Sequence, residues 1–371
     1  MFSLKNIFKS NQKECKNDCS EFNLMTSSCD VTRKDGTSEE AIQFLLNEYN
    51  NKRISEIEFY TLLNKAMYIV SVNELIEKYK PLKVKNKVIN RTNKLNAYIG
   101  GIFGDIIGSP LEGVMNRYNV KIEDMMQYDL KFTDDTVLMV ATKEALKKDI
   151  KYRTNLSLED FKIANTFPYV NNPFVNIYKT YGKKYENCGF GEKFYKWVKS
   201  SSCEPYGSYG NGSAMRIGIV SDYFDSIDKV IEYSIASAAV THNHPEGIKG
   251  AVVIAVMCWM AKNGYSKEEI MEYMKRFYNL ERSCKYAMPH IKTFDYKGFA
   301  NSMGREVCQY TVPMAVFCFY ESDNYEDAIN HALCLMGDID TICSITGALA
   351  GSYYGVPDNI EAFVQTKIKD I

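Results

Sequence analysis

In AYIGGIFGDIIGSPLEGV (97–114), Gly100, Gly104 and Gly108 stand four residues apart within an apolar run. A helix over this stretch places all three on one face, and each glycine costs roughly 1 kcal/mol relative to alanine in a helix interior. Something has to compensate for that cost. A bare glycine face does so by letting a neighbour come close to the backbone, and tight helix packing is the simplest such neighbour, a ligand the other. A second small face, made of Ser344, Gly347, Ala348, Gly351 and Gly355, occurs in MGDIDTICSITGALAGSYYG (336–355). Helical spacings recur from Ala97 to near the end and few alternating runs are long enough for strands, so an all-α, compact multi-helix core is predicted.

Residues 1–36 are dominated by Asn, Lys, Ser and Asp and are expected to lack fixed structure. Three capping boxes follow, Thr37 with Glu40, Ser55 with Glu58 and Ser71 with Glu74, each opening a short amphipathic helix. PLKVKNKVINRTNK (81–94) carries five basic residues and no acid, the pattern of a solvated linker. The expected organisation is therefore a tail over 1–36, a small helical extension with its basic linker over 37–94, and a main domain over 95–371.

A net charge of −1 provides no global field for nucleic acid or an anionic membrane, so neither is an expected partner. The longest apolar stretch, AVVIAVMCWMA (251–261), is about half of the ~20 residues that span a bilayer and reads as a buried core helix. The first residues lack the apolar segment of a signal peptide. Eleven cysteines, an odd count without a CxxC pair, point to reduced thiols and a cytoplasmic protein.

Chemistry concentrates at two helix starts. In FTDDTVLMV (132–140), capping and the helix dipole account for one of Asp134 and Asp135, but not for a second adjacent carboxylate. The matching cluster is Asp338, Asp340 and Thr341, again directly before a helix. Packed together, the two starts would offer four carboxylates and two hydroxyls. Oxygen-only donors suit hard cations such as Mg2+ or Mn2+, and the acids suffice for two ions at the ~3.5–4 Å spacing of two-metal sites. Asp105 and Glu112 lie near the first glycine face.

Two further motifs surround this cluster. YGSYGNGSAMR (206–216) is either an ordinary turn or an anion-binding nest of backbone N–H groups, with Tyr209 able to stack on a base. In THNHPEG (241–247), Pro245 suits the first turn of a helix, which leaves His242 and His244 either to cap it or to hydrogen-bond a phosphate or sugar.

Taken in order, GDIIGSPLE, FTDDT, YGNGSAMR, THNHP and GDIDT with GALAGSYYG resemble the motifs of the ADP-ribosylglycohydrolase family, over roughly residues 97–356. The resemblance implies an all-α hydrolase with two Mg2+ or Mn2+ ions that cuts the bond between the distal ribose of ADP-ribose and a protein side chain. Position by position, it implies Thr133, Asp134, Asp135, Asp338, Asp340 and Thr341 as metal ligands. Glu112, Asp134 and Asp135 would carry the catalysis, Glu112 as the acid/base that also touches substrate. Gly207, Ser208, Tyr209, Gly210, Asn211, Gly212 and Ser213 would hold the diphosphate and face adenine, and His242 would contact the ligand. This chain departs from the pattern at Met336, where a glycine is common, at Ile339, where threonine is frequent, and in lacking a proline after Met215–Arg216.

The implied partner is an ADP-ribosylated protein or a small ADP-ribose conjugate, the implied state a monomer. Some relatives block an ADP-ribosyltransferase toxin through an N-terminal extension, and residues before 97 could do the same. A binding protein that keeps the pocket but sequesters a partner is the competing expectation. The side-chain linkage is open between arginine, serine and others.

Overall fold

A computed structural model of the chain describes residue 51 and residues 75–84, 95–112, 120–155, 172–278, 306–335 and 337–371. The tail and the three capping boxes fall outside the described residues, as do residues 85–94 of the basic stretch. Internal packing divides the chain between Val70 and Ser71, and the helices below all belong to residues 71–371.

In chain order the named helices are α1 (Ala97–Gly108), α2 (Ile122–Met125), α3 (Asp134–Asn155), α4 (Pro173–Lys184), α5 (Glu192–Lys199), α6 (Gly212–Met215) and α7 (Val220–Tyr223). Then come α8 (Ile227–Ala239), α9 (Pro245–Lys262), α10 (Lys267–Lys275), α11 (Cys308–Tyr320), α12 (Tyr325–Leu333), α13 (Ile339–Tyr353) and α14 (Asp358–Ile368). The fold is all-α: among the described residues there is no strand, only an isolated bridge between Gly210 and Val307. None of these helices is long and apolar enough to cross a membrane. Every cysteine among the described residues is a free thiol.

The two small faces found in the sequence pack on each other. A Cβ on Gly100 would enter the backbone carbonyl of Gly347, and one on Gly347 would enter that of Gly100. A Cβ on Gly104 would strike the carbonyl of Cys343, and one on Gly108 would come within 2.8 Å of Asp340 Cα. Backbone-to-backbone contact over three turns makes α1 and α13 a single central pair, buried along its length. The glycine cost is thus offset by dispersion contacts that a side chain would hold apart.

Supporting helices fix this pair. Asn96 caps α1 through the Ile99 amide, while the Asp222 carboxylate accepts from the Ala97 and Tyr98 amides at 3.3 and 3.0 Å. Three of the four orphan donors of the helix start are thereby satisfied. Asp222 also pairs with the buried Lys262 at the end of α9. α9 itself begins with Pro245 and is buried from Gly250 to Lys262, in line with the core-helix reading of 251–261.

Residues 75–84 dock against α10 and the turn after it. Tyr79 stacks on Phe277 at 5.0 Å, the Tyr273 hydroxyl donates to the Tyr79 carbonyl at 2.8 Å, and Arg276 donates to the carbonyls of Lys80 and Lys78. Pro81 is buried, whereas Leu82 and Val84 are exposed.

Candidate metal centre and ligand cleft

The start of α3 is held by a residue from another helix. Asp105 of α1 accepts from the Thr133 amide at 3.0 Å, the Thr133 hydroxyl at 2.6 Å and the Thr136 amide at 3.0 Å. A carboxylate at a helix N-terminus is favoured by both its free amides and its dipole. Because the glycine seam lets α1 and α13 touch, the same Asp105 also lies beside the start of α13. One carboxylate oxygen from each of Asp105, Asp135 and Asp340 falls within 4.8 Å of the others. Thr341 closes the group, its hydroxyl donating to Asp135 Oδ2 at 3.1 Å.

The structure therefore brings the two acid-hydroxyl starts together, and adds Asp105, which the sequence did not mark as a ligand. The Thr133 hydroxyl spends its proton on Asp105, so only its lone pairs face outward. A usable signal existed: Asp105 is the one charged residue in an otherwise apolar helix, and a buried carboxylate needs a partner off its own helix.

Burial makes this cluster costly. Asp105, Asp135 and Asp340 are at most 3% exposed, and among the described residues no lysine or arginine forms an ion pair with them. At 4.8 Å an ionised pair repels by about 3–4 kcal/mol at an effective dielectric of 20. Burial first, and neighbouring carboxylates second, push Asp134, Asp135 and Asp340 well above the ordinary aspartate range. Burial also raises Asp105, opposed by the Thr133 and Thr136 hydrogen bonds. Asp135 Oδ1 is buried without a hydrogen-bond partner. An orphaned anionic oxygen within an oxygen-only donor set fits a hard divalent cation.

A pH dependence follows. A carboxyl whose pKa is raised on folding binds its proton more tightly in the native state, so its stabilisation is present at low pH and is lost as pH rises through the raised value. Metal-free protein is expected to melt lower at about pH 7.5 than at about pH 5, where ordinary carboxylates have already ionised. Added divalent cation should remove most of the difference. Thermal scans in chelator and in Mg2+ check this, and a chelated protein more stable at the higher pH would contradict it.

A cavity of about 350 Å³ opens above the cluster. Asp134, Asp338, Asp340 and Thr341 line its acidic side; Ser208, Gly210, Asn211, Gly212 and His242 line another; Glu112 and Glu306 contribute two more carboxylates. Burial, then Asp338 and Glu306, raise the Glu112 carboxyl, a direction that suits an acid/base group. Glu306 was not singled out in the sequence, since one acid before an apolar helix carries no pattern.

The glycine loop is tied down. Gly207, at φ +68°, donates its amide to Asn243 Oδ1 at 2.9 Å, and the Ser208 amide reaches the Thr241 carbonyl at 3.4 Å. The Gly210 amide meets Ser208 Oγ at 3.2 Å and the Asn211 amide the Glu306 carbonyl at 2.8 Å. These four amides are thus engaged within the protein. Asn211 Nδ2 donates to Asp338 Oδ2 at 2.6 Å and to Thr311 Oγ1 at 3.0 Å. Ser213 is buried and donates to the Gly247 carbonyl at 2.7 Å. Tyr209 is 46% exposed against His244, and neither it nor Gly207 nor Ser213 lines the cavity.

The two histidines take one role each. His244 caps α9, its Nδ1 accepting from the Glu246 amide at 3.1 Å. His242 is buried and lines the cavity.

The profile of the ADP-ribosylglycohydrolase family matches residues 88–365. A protein named ADP-ribosylhydrolase ARH3 from Xenopus tropicalis is 26% identical over 305 residues, covering 69% of this chain and 85% of its own. An uncharacterized protein of Archaeoglobus fulgidus is 27% identical over 284 residues, covering 71% of this chain and 88% of its own. A solved structure described as an ADP-ribosylglycohydrolase-related protein complex matches with a TM-score of 0.49 at 19% identity, over 74% of this chain and 96% of that one. The matched span contains both acidic helix starts, the glycine loop and the histidine pair, and on it this chain belongs to the ADP-ribosylglycohydrolase family.

Proposed function

We propose that the protein is a metal-dependent hydrolase that frees ADP-ribose from a modified protein side chain by cutting the glycosidic bond at the distal ribose. The observation that carries this reading is the orphaned Asp135 oxygen in a buried acidic cluster whose Asp340 and Thr341 line a cavity that Glu112 also lines. Asp134, Asp135, Asp338 and Asp340, with Thr133 and Thr341, would hold two Mg2+ or Mn2+ ions, and Asp105 holds the first helix start in place. Bound divalent cations supply the Lewis-acid charge that fixes sugar hydroxyls beside the scissile bond.

Glu112 then moves the proton, taking one from the attacking water and returning one to the leaving side chain across an oxocarbenium-like transition state. Asn211 orients Asp338. Ser208, Gly210, Gly212 and His242 would hold the diphosphate half, and Tyr209, exposed outside the cavity lining, would face adenine. Such contacts add affinity without by themselves accelerating cleavage. The partner is an ADP-ribosylated protein, met in the cytoplasm by a monomer.

The test is release of free ADP-ribose from arginine-linked and serine-linked substrates by the full chain, with Mg2+, with Mn2+ and with chelator. Cleavage of one linkage only in the presence of a divalent ion is expected, and Asp338→Ala should lower it by at least about a hundredfold. Inactivity on both linkages with both ions would leave the protein a binder.

A further inference from the structure

Along the cavity wall, Arg216, Thr241 and His242 form a hydrogen-bonded row whose proton order follows from which groups can donate and which can accept. Arg216 is fully buried, and its Nη2 donates to Thr241 Oγ1 at 2.8 Å and to the Ser237 carbonyl at 3.0 Å. A guanidinium has no acceptor, so Oγ1 must accept this bond. Thr241 is fully buried, so its one hydroxyl hydrogen also needs an acceptor. The one hydrogen on Thr241 Oγ1 then has His242 Nδ1, 2.8 Å away, as its acceptor. Nδ1 thus carries the lone pair and Nε2 the proton.

That N–H has a defined outlook. A Cβ on Gly212 would sit 3.2 Å from His242 Nε2 and one on Gly210 3.7 Å from it, so bare glycines leave the donor uncovered beside the cavity. Arg216 Nε and Nη1 are buried without hydrogen-bond partners, and no carboxylate of the described residues pairs with this cation. Burial first, and the neighbouring Arg216 charge second, hold His242 well below its ordinary pKa.

We propose that Arg216 and Thr241 are positioning residues that lock His242 as a neutral Nε2–H donor beside Gly210 and Gly212, selecting an anionic oxygen there. Resting on the reading that the cavity takes ADP-ribose, that oxygen belongs to a phosphate. A δ-protonated ring would present a lone pair at the same point and repel the phosphate. The lock ensures that only the donor form exists in the free protein.

The experiment is 15N NMR of histidine-labelled full chain. The chain has four histidines, and His242 is assigned by its absence in His242→Asn. The expected wild-type spectrum has a protonated, pyrrole-type Nε2 and a bare, pyridine-type Nδ1 without ligand. Thr241→Val should give a mixture of tautomers and weaken ADP-ribose binding, followed by calorimetry, by about tenfold, the scale of one lost hydrogen bond to a charged group. Thr241→Ser should restore both. A δ-protonated or mixed wild-type ring overturns the lock, as does a valine variant with unchanged spectrum and affinity. If the valine variant does not fold, the wild-type and serine spectra still decide. An Nε2–H spectrum in a wild type that binds no ADP-ribose supports the lock and overturns the ligand reading.

Discussion

Asp135→Asn is expected to raise the melting temperature of the metal-free protein and to abolish its stabilisation by Mg2+ or Mn2+. Both effects stem from one carboxylate that is 1% exposed, meets Asp105 and Asp340 within 4.8 Å and leaves Oδ1 without a partner. An amide has nearly the same shape and its oxygen can still accept from Thr341, but it removes a charge that repels each neighbour by about 3–4 kcal/mol. Because the wild-type cluster already relieves part of that by holding protons, the net gain without metal should be about 1–3 kcal/mol. Cation at a hundred times its dissociation constant stabilises a one-site protein by about 2.7 kcal/mol. In a unit of about 300 residues, with about 2.1 cal/mol/K of unfolding entropy each, that raises the wild-type melting point by roughly 4 °C, and the variant should gain almost none. A metal-free variant that melts lower than wild type, or an equal Mg2+ shift in both, would mean the cluster is not a cation site.

The second large effect belongs to the glycine seam. Gly104→Ala gains up to about 1 kcal/mol of helix propensity, but its new Cβ meets the Cys343 carbonyl and comes within 2.8 Å of the Ser344 amide nitrogen. Both obstacles are backbone inside a buried helix, so neither can swing aside. Overpacking costs 1–3 kcal/mol where side chains can adjust, and here a net loss of about 3 kcal/mol or more is expected. Asp105, the next residue, would be pushed from Asp340, and cation uptake should fall with stability. Gly191→Ala is the control: its φ is −57° and an added Cβ meets nothing within 4 Å, so a change within about 0.5 kcal/mol is expected. Denaturant unfolding of the two variants measures both, and equal stability would refute the close approach of α1 and α13.

These two sites also mark how far the sequence could be read. Gly100, Gly104 and Gly108 announced a close neighbour because glycine spacing is a local property of a helix, but which helix fills that face is a matter of tertiary pairing. The second small face, around Gly347, was visible in the same way without revealing that the two were partners. Asp134 with Asp135, and Asp338 with Asp340, stood out as surplus acids that capping does not use. Asp105 did not, since a lone acid acquires meaning only when α1 is laid against the starts of α3 and α13. The glycine loop was legible in composition and not in detail: Ser213 turns into the core toward Gly247, and Asn211 toward Asp338. His242 and His244, two residues apart, were open between capping and ligand contact; His244 caps the helix, and His242 lines the cavity.

Asn211 carries a consequence of its own. Its amide nitrogen has two hydrogens, and Asp338 and Thr311 take one each. Only the carbonyl oxygen is left for whatever enters the cavity that Asn211 lines. At that point of the wall the protein offers a lone pair and no hydrogen, which welcomes a hydroxyl and turns away an oxyanion. On the proposed function, a nucleotide would lie with a ribose hydroxyl toward Asn211 and its phosphates further along, so a side chain that looks like a passive strut would set the direction in which the guest is threaded.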